Sequence, residues 1–302
     1  MSEPGISVVM TTYNGERFLA KQIESILSQT LRPNEIIICD DASTDSTVAI
    51  LEKYRADHGI VYHINEQRLG VVENFKKAVS LAAAGNYISL SDQDDIWLPE
   101  KLERSMAALR SIDDGQTPAM VYSNLTVIDE AGNITSPSLN SILGFDKFEH
   151  CLATLVYGNF LLGCTVLMNQ KMRSFFPDIP DTGSNYHDTW ITLIAFSFGK
   201  AMLLPGSYVL YRQHANNVTF ANHRPTKRYE RVLLHLKNIF GNKDYLLDRV
   251  VLLKKFYDRY RSLLTEQQVK DIRTVLDLEG SSYLQKKMAY ERSFRGKWIN
   301  RF

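Results

Sequence analysis

The chain has 302 residues, 44% of them hydrophobic, and a formal net charge of +1, so a large core is easily built from one large domain or two smaller ones. Its three cysteines, Cys39, Cys151 and Cys164, are widely spaced; they suit a reducing compartment and show no zinc spacing. No N-terminal segment joins a charged head to an apolar signal core, and the longest apolar run, near 191–198, ends at Lys200, too short to span a bilayer; a soluble, cytoplasmic chain is expected.

Strands and helices alternate from the start. Residues 6–10 form a continuous apolar run, as in a strand buried on both faces of a parallel sheet. The turn signal Thr11-Thr12-Tyr13-Asn14-Gly15 follows, then a helix with Phe18, Leu19, Ile23, Ile26 and Leu27 on one face. Pro33-Asn34 breaks the chain before a second strand at 35–39, which ends in Asp40-Asp41. Ser43 or Thr44 is placed to cap a helix that turns Val48, Leu51 and Tyr54 inward. Residues 60–64 read as a third strand, 71–84 as a third helix stopped by Gly85-Asn86, and 87–91 as a fourth strand. Short connections between these elements predict a parallel sheet with right-handed crossovers.

Ligands in such sheets bind beyond the carboxyl ends of the strands. Three polar clusters fall there: 11–14, Asp40-Asp41, and the run Ser-Asp-Gln-Asp-Asp at 91–95. Carboxylates at Asp92, Asp94 and Asp95 repel one another unless a positive group sits among them, and a hard cation such as Mg²⁺ or Mn²⁺ takes oxygen ligands and bridges phosphates. The alternative is a solvated acidic turn in which Asp95 or a neighbour caps the next helix. Neither Gly-x-Gly-x-x-Gly after the first strand nor Gly-x-x-x-x-Gly-Lys-Ser/Thr occurs, which argues against dinucleotide dehydrogenases and P-loop NTPases.

The ordered set of segments resembles the family 2 nucleotide-sugar glycosyltransferases of the GT-A fold, especially their bacterial rhamnosyltransferase-like branch. The pieces are Ser-Val-Val-Met-Thr-Thr-Tyr-Asn-Gly at 7–15, Asp-Asp-Ala-Ser-Thr-Asp at 40–45 and Leu-Gly-Val-Val-Glu-Asn-Phe at 69–75. Ser-Asp-Gln-Asp-Asp-Ile-Trp-Leu-Pro at 91–99, His-Asp-Thr-Trp at 187–190 and Tyr-Arg-Gln-His-Ala-Asn-Asn at 211–217 complete it. The resemblance implies an α/β, Rossmann-like fold of the spore-coat-polysaccharide-synthesis type, with a mainly parallel sheet flanked by helices. It also implies an inverting, Mn²⁺- or Mg²⁺-dependent transfer of rhamnose or another hexose. The donor would be a dTDP- or UDP-sugar, and the acceptor a hydroxyl of a saccharide or lipid-linked glycan, in cell-surface polysaccharide synthesis.

Carried over by position, Thr11 and Tyr13 would line the nucleoside pocket, with the tyrosine ring against the base. Asp41 would accept from the pyrimidine N3–H, ahead of Asp40. Asp92 would meet the ribose or a metal-bound water, and Asp94 the metal. Asp95 would cap a helix or stand behind the site. Arg68 and Asn74 would lie near the donor. His214 would approach the metal or diphosphate, with Asn216 and Asn217 ordering its loop. Asp188 would be the base, where a first-turn aspartate favoured by the helix dipole is the plain alternative. His187 departs from the Glu-Asp pair common in the family. Trp97 and Trp190 could stack on sugar faces or fill the core.

Residues 1–222 would form the GT-A domain, with 1–100 the nucleotide-sugar half and 101–222 the acceptor half. Within the latter, strands are expected at 119–123, 161–168 and 208–211, a short helix at 148–157, and a mobile loop at 180–185. Residues 223–302, helical by periodicity at 226–240, 244–264 and 266–290, would form a C-terminal extension. The first 222 residues hold 16 basic and 25 acidic groups, the last 80 hold 19 and 9. Such a split suits an anionic partner, a membrane surface, a homodimer contact or packing on the acidic body. No nucleic-acid partner is expected. The absence of membrane spans and of Gln-x-x-Arg-Trp argues against a processive synthase. A catalytically degenerate nucleotide- or glycan-binding module and a sugar nucleotidyltransferase are the remaining alternatives.

Overall fold

The computed structural model describes residues 4–181, 187–214 and 243–278, together with 281, 285, 288, 289 and 292. The chain forms two compact units. The first takes in residues 1–138, 161–181 and 185–221; the second takes in 139–160, 182–184 and 222–302.

The first unit begins with four parallel strands, β1 (Ile6–Thr12), β2 (Glu35–Asp40), β3 (Val61–Ile64) and β4 (Tyr87–Ser91), joined through α1 (Leu19–Leu27), α2 (Thr47–His58) and α3 (Val71–Leu81). Their order is β3-β2-β1-β4. β1 occupies an inner position, and Val8, Val9 and Met10 are fully buried, which is why its sequence is apolar without alternation. β3 lies at the sheet edge with Val61 and Ile64 exposed.

Further along come β5 (Ile96–Trp97), α4 (Lys101–Ile112), β6 (Ala119–Ile128), β7 (Ile134–Ser136), β8 (Leu167–Met168), α7 (Gln170–Arg173), α8 (His187–Phe198) and β9 (Lys200–Arg212). They extend the sheet as β4-β8-β6-β9-β5, with β7 beside β6. β8 runs antiparallel to both β4 and β6, and β6 runs parallel to β9. Both β6 and β9 therefore point the same way as β1 and β4. That direction brings the carboxyl end of β9 to the rim where β1, β2 and β4 end.

Several local features differ from the sequence expectation. α3 ends at Leu81, with Ala82 already extended, and Gly85 (φ 92°) serves the following turn. Neither Ser43 nor Thr44 caps α2: the Asp40 carboxylate draws in the Ser43 N–H (2.8 Å) and hydroxyl (2.6 Å) instead. The strand expected at 161–168 contracts to β8, because Gly163–Thr165 forms a 3₁₀ turn. Strands 119–123 and 208–211 extend into the longer β6 and β9. Trp97 and Trp190 are both core residues. The loop expected at 180–185 falls mostly outside the described residues.

In the second unit, α5 (Leu139–Leu143) and α6 (Leu152–Leu155) join α9 (Lys243–Tyr260) and α10 (Glu266–Leu276). The helix expected at 148–157 is thus a single turn. Val250, Leu253, Phe256 and Tyr260 bury one face of α9, as their spacing implies. The buried Arg249 donates to the carbonyls of Leu155 and Val156 at the end of α6, where backbone acceptors lack helical partners. Thr265 and Gln268 form a reciprocal capping box at the start of α10. The segment 226–240 lies outside the described residues. Among the described residues, no helix is long and apolar enough to cross a membrane.

Two packing features of the first unit carry predictions. At Gly199, between α8 and β9, an added Cβ would stand 2.0 Å from the Pro118 carbonyl oxygen, which also accepts from Lys200 N. Gly199→Ala should therefore cost about 1–3 kcal/mol in urea unfolding, because backbone must move. At the start of α8, the His187 ring stacks on Phe75 (4.3 Å between centroids), and burial lowers its pKa to about 4. The unfolded chain therefore binds a proton between about pH 6.5 and 4 that the folded chain refuses, so stability falls as pH falls through that window. Urea midpoints at pH 7, 6 and 5 should show a steeper acid loss in the parent than in His187→Phe, by up to about 1.4 kcal/mol per pH unit.

Candidate active site

Every site residue expected from the sequence lies in the first unit. On the β1–β2 side, the chain leaves the sheet through two non-glycine residues with positive φ, Asn14 (48°) and Ala42 (60°), a conformation that side chains resist. Hydrogen bonds across the two turns hold them: Asn14 N–H donates to Ser43 Oγ (2.8 Å), and Thr44 N–H to Asn14 Oδ1 (2.8 Å). Asp40 is fully buried and engaged by Thr12 and Ser43, so it fastens the turn.

Asp41 organises the neighbouring loop. Its Oδ1 accepts from Leu69 N–H (2.7 Å) and Asn65 Nδ2 (3.0 Å), and its Oδ2 from Gly70 N–H (2.9 Å) at the start of α3. Two carboxylate oxygens offer about four acceptor positions, so one remains after these three bonds. Arg68 Nε stands 3.9 Å from Oδ2, and the Arg68 guanidinium lies 3.9 Å from the centre of the Tyr13 ring. Tyr13, Arg68 and Asp41 are thus one group. Thr11, next to them at the end of β1, is half-buried. Asn74 sits a layer deeper: it is buried, accepts from Asn65 and donates to the Cys39 carbonyl. Its place is behind Asp41, supporting the residue that supports it.

The acidic turn follows β4. Asp94 Oδ2 lies 2.7 Å from His214 Nε2, with the two side chains 15% and 8% exposed. Asp92, at the mouth of the turn, has its pKa pushed up to about 7, first by lost solvation and then by the charges of Asp94 and Asp188. Asp95 is fully buried and held well above the carboxylate range by burial and by Asp94 and Asp92; its Oδ1 accepts from the Arg212 N–H (3.2 Å). It caps no helix, since α4 begins six residues later.

Asp92, Asp95 and the Cys164 thiol place their ligand atoms within 4.8 Å of one another. Two facts argue against that inner triad as a cation seat. The Cys164 thiol is a soft donor, which a hard cation such as Mg²⁺ or Mn²⁺ does not favour. Lys101, buried behind them with its charge felt by Asp95 and Cys164, would compete with a cation, although burial lowers its own pKa to about 7. Lys101 Nζ donates to Ser89 Oγ (3.0 Å) and rests 3.4 Å from the centre of the Trp97 ring. Outside that triad, the Asp94–His214 pair offers oxygen plus imidazole, a donor pair that suits Mg²⁺ or, better, Mn²⁺.

Asp188 occupies the first turn of α8, where its Oδ1 accepts from Thr189 N–H (2.6 Å). Its charge acts on Asp92, so it faces the acidic turn. Gly163 makes this approach possible: a Cβ there would stand 2.9 Å from His187 Nε2 and 3.6 Å from Asp188 Cβ. His187 itself points into the core against Phe75 and has no part in the acidic group. Asn216 and Asn217 lie outside the described residues.

Sequence reasoning gave no role to two residues of the site. Arg212, 1% exposed, donates through Nε to the Asp94 carbonyl (2.9 Å) and through one terminal nitrogen to the carbonyls of Asp129 (3.2 Å) and Glu130 (2.8 Å). Phe18 packs against both its guanidinium (4.7 Å) and the His214 ring (5.0 Å). The signal was present, since Arg212 stands two residues before His214 in a strand-like segment. The other is Gln93, the middle residue of the acidic turn: its Oε1 accepts from Tyr13 N–H (2.9 Å) and its Nε2 donates to the Tyr13 carbonyl (3.0 Å).

With this geometry in view, comparison with known proteins is direct. The family model described as glycosyl transferase family 2 matches residues 7–160. The putative glycosyltransferase EpsE of Bacillus subtilis is 38% identical over 135 residues, 43% of this chain and 46% of that protein, so this chain matches about half the length of that relative. An Escherichia coli protein described as UDP-Glc:alpha-D-GlcNAc-diphosphoundecaprenol beta-1,3-glucosyltransferase WfgD is 25% identical over 261 residues, 85% of this chain and 97% of that one. Among solved structures, S. aureus TarS 1–349 in complex with UDP-GlcNAc superposes with a TM-score of 0.58 at 16% identity, covering 98% of this chain and 93% of that one. That likeness shows the GT-A fold. A strand rim carrying the acidic turn, and a family match over half the sequence, together identify the chain as a member of glycosyl transferase family 2.

Proposed function

We propose that the protein is an inverting, divalent-metal-dependent glycosyltransferase. It moves a hexose from a UDP- or dTDP-sugar to a hydroxyl of a saccharide or lipid-linked acceptor in cell-surface polysaccharide synthesis. The observation that carries this reading is the Asp94–His214 pair, 2.7 Å apart, beside Asp92 and on the rim that also bears Tyr13 and Asp41. UDP-sugars appear in the descriptions of both WfgD and the TarS complex, which supports a uridine or thymidine donor.

In this reading, Tyr13 and Thr11 receive the nucleoside, and the remaining acceptor position of Asp41 meets the base N3–H. Arg68 turns its charge toward the donor, while Asn74 acts from behind through Asn65. Asp94 and His214 would hold a divalent cation, and Asp92 would meet the ribose or a water beside that cation. A bound Mn²⁺ or Mg²⁺ would neutralise charge that develops on the leaving nucleoside diphosphate. An acceptor hydroxyl has a pKa far above 7, so a carboxylate in reach must take its proton as it attacks. Asp188 meets that requirement, because it faces Asp92 across the site and its Oδ1 is oriented by the Thr189 N–H. A single displacement with one such base inverts the anomeric centre.

Three outcomes test the reading. With a panel of UDP- and dTDP-sugars and an oligosaccharide acceptor, Asp188→Asn should lower kcat by about 10²–10⁴-fold while leaving donor binding near that of the parent. Near-parental turnover would remove Asp188 as base. Asp94→Asn and His214→Ala should weaken Mn²⁺ binding in isothermal titration, and chelation should abolish turnover; donor binding without nucleotide release at any metal concentration would instead favour a binding module. Because Asp92 titrates near 7 in the metal-free protein, apparent Mn²⁺ affinity should fall as pH drops below about 7, by up to about tenfold per unit, since protons compete with the ion.

A further inference from the structure

We propose that Gln93 is a positioning residue that couples the cation site to the nucleoside pocket, so that each ligand tightens the other even when no phosphate joins them. The inference rests on the reading of Asp94 and His214 as the cation site and of Tyr13 as the base platform.

Gln93 stands between the two carboxylates of the turn. Asp94 reaches His214, whereas the Gln93 amide is spent on Tyr13, accepting its N–H at 2.9 Å and donating to its C=O at 3.0 Å. A side-chain amide thereby pairs with one residue's main chain at both its polar groups, as a neighbouring strand would. Displacing the turn relative to Tyr13 breaks both bonds together. A second observation is independent of these bonds. A Cβ at Gly15 would stand 2.3 Å from Gln93 Oε1 and 2.8 Å from its Cδ, and the three nearest atoms at that position all belong to Gln93. Gly15 has no positive φ, so the backbone does not require a glycine. What requires it is the Gln93 amide.

Beyond Tyr13 the linkage continues through its ring to Arg68 and from Arg68 to Asp41. An ion that fixes Asp94 fixes the turn in which Gln93 precedes it, and so fixes the Tyr13 main chain from which the ring projects. Coupling of this kind is reciprocal: a nucleoside that orders Tyr13 must raise cation affinity by the same factor.

The probe is Mn²⁺, titrated by electron paramagnetic resonance into the whole protein with and without saturating uridine or thymidine, which carry no phosphate to bridge to the ion. In the parent, nucleoside should tighten Mn²⁺ binding about fivefold, the lower end of usual coupling. Gln93→Met, which keeps the volume and removes both hydrogen bonds, should bring the ratio to one. Gly15→Ala, which displaces the amide and leaves Gln93 in place, should do the same, and the double variant should lose nothing more. Thermal melts show whether each variant folds; a purely structural role would lower the melting temperature and leave the ratio at the parental value. That result, or independent binding of nucleoside and Mn²⁺ in the parent, overturns the coupling. Failure of the parent to bind Mn²⁺ or nucleoside at all overturns the reading of the site on which the coupling rests.

Discussion

Too many carboxylates meet at one sheet rim, and the surrounding fold is arranged around that constraint. Two unit charges less than 5 Å apart repel by about 3–4 kcal/mol at an effective dielectric near 20, and Asp92 and Asp95 place oxygens within 4.8 Å of one another, with Asp94 and Asp188 acting on Asp92 as well. The protein relieves this in three ways. Asp95 is buried and its pKa raised, which favours its neutral form. His214 binds Asp94 from outside. Arg212 enters from β9, donates to the Asp94 carbonyl in the turn and to the Asp129 and Glu130 carbonyls after β6, and sets its positive charge near Asp95 and Asp94. Lys101 places a fourth group behind the others.

The topology is what makes this relief available. β9 is thirteen residues long and runs parallel to β6 in a register that ends at Ile128 and Arg212. Its carboxyl end therefore reaches the same rim as β4. β5, immediately after the acidic turn, pairs antiparallel with β9 through Ile96–Leu210 and Trp97–Val209. The turn is thus clamped by the strand that delivers Arg212 and His214. Gly199 sets the other end of β9 by allowing contact with the Pro118 carbonyl.

Much of the fold was legible because it follows from period and punctuation. Continuous apolar runs marked β1, β2 and β4, and β4 occupies the residues expected of it. Boundaries that depend on side-chain competition were not legible: Ser43 could cap a helix or bond Asp40, and only the tertiary position of Asp40 decides. The short β8 was read as a long strand because the apolar residues 160–162 and 166–168 conceal a 3₁₀ turn, whose Gly163 makes room for His187 and Asp188. At the site, residue types gave the carboxylates, while the partners that make them tolerable come from 117 to 120 residues away. Arg212 and Gln93 stand inside the family motifs, yet residue type gave them no role, since their work is done on backbone atoms.

The distribution of hydrogen bonds also separates scaffold from reactive groups. Asp40 and Asp41 sit at the same kind of strand end as Asp92 and Asp94, yet they are engaged by six donor groups from Thr12, Ser43, Asn65, Leu69 and Gly70. Carboxylates so engaged hold the turns that present Tyr13 and Arg68, and Asp41 keeps one acceptor position for a ligand. The acidic turn is the reverse. Its backbone is tied down by Arg212, while burial first, and then the charges of Asp94 and Asp188, raise the Asp92 pKa to about 7. Repulsion stored in this way is released when a cation or a proton arrives. A site that is rigid in its main chain and electrostatically unsatisfied in its side chains is preorganised for charge that the substrate brings. The same reasoning explains why His187 can replace an acidic residue beside Asp188: that side chain turns into the core against Phe75, where a second carboxylate would have added to the crowding rather than relieved it.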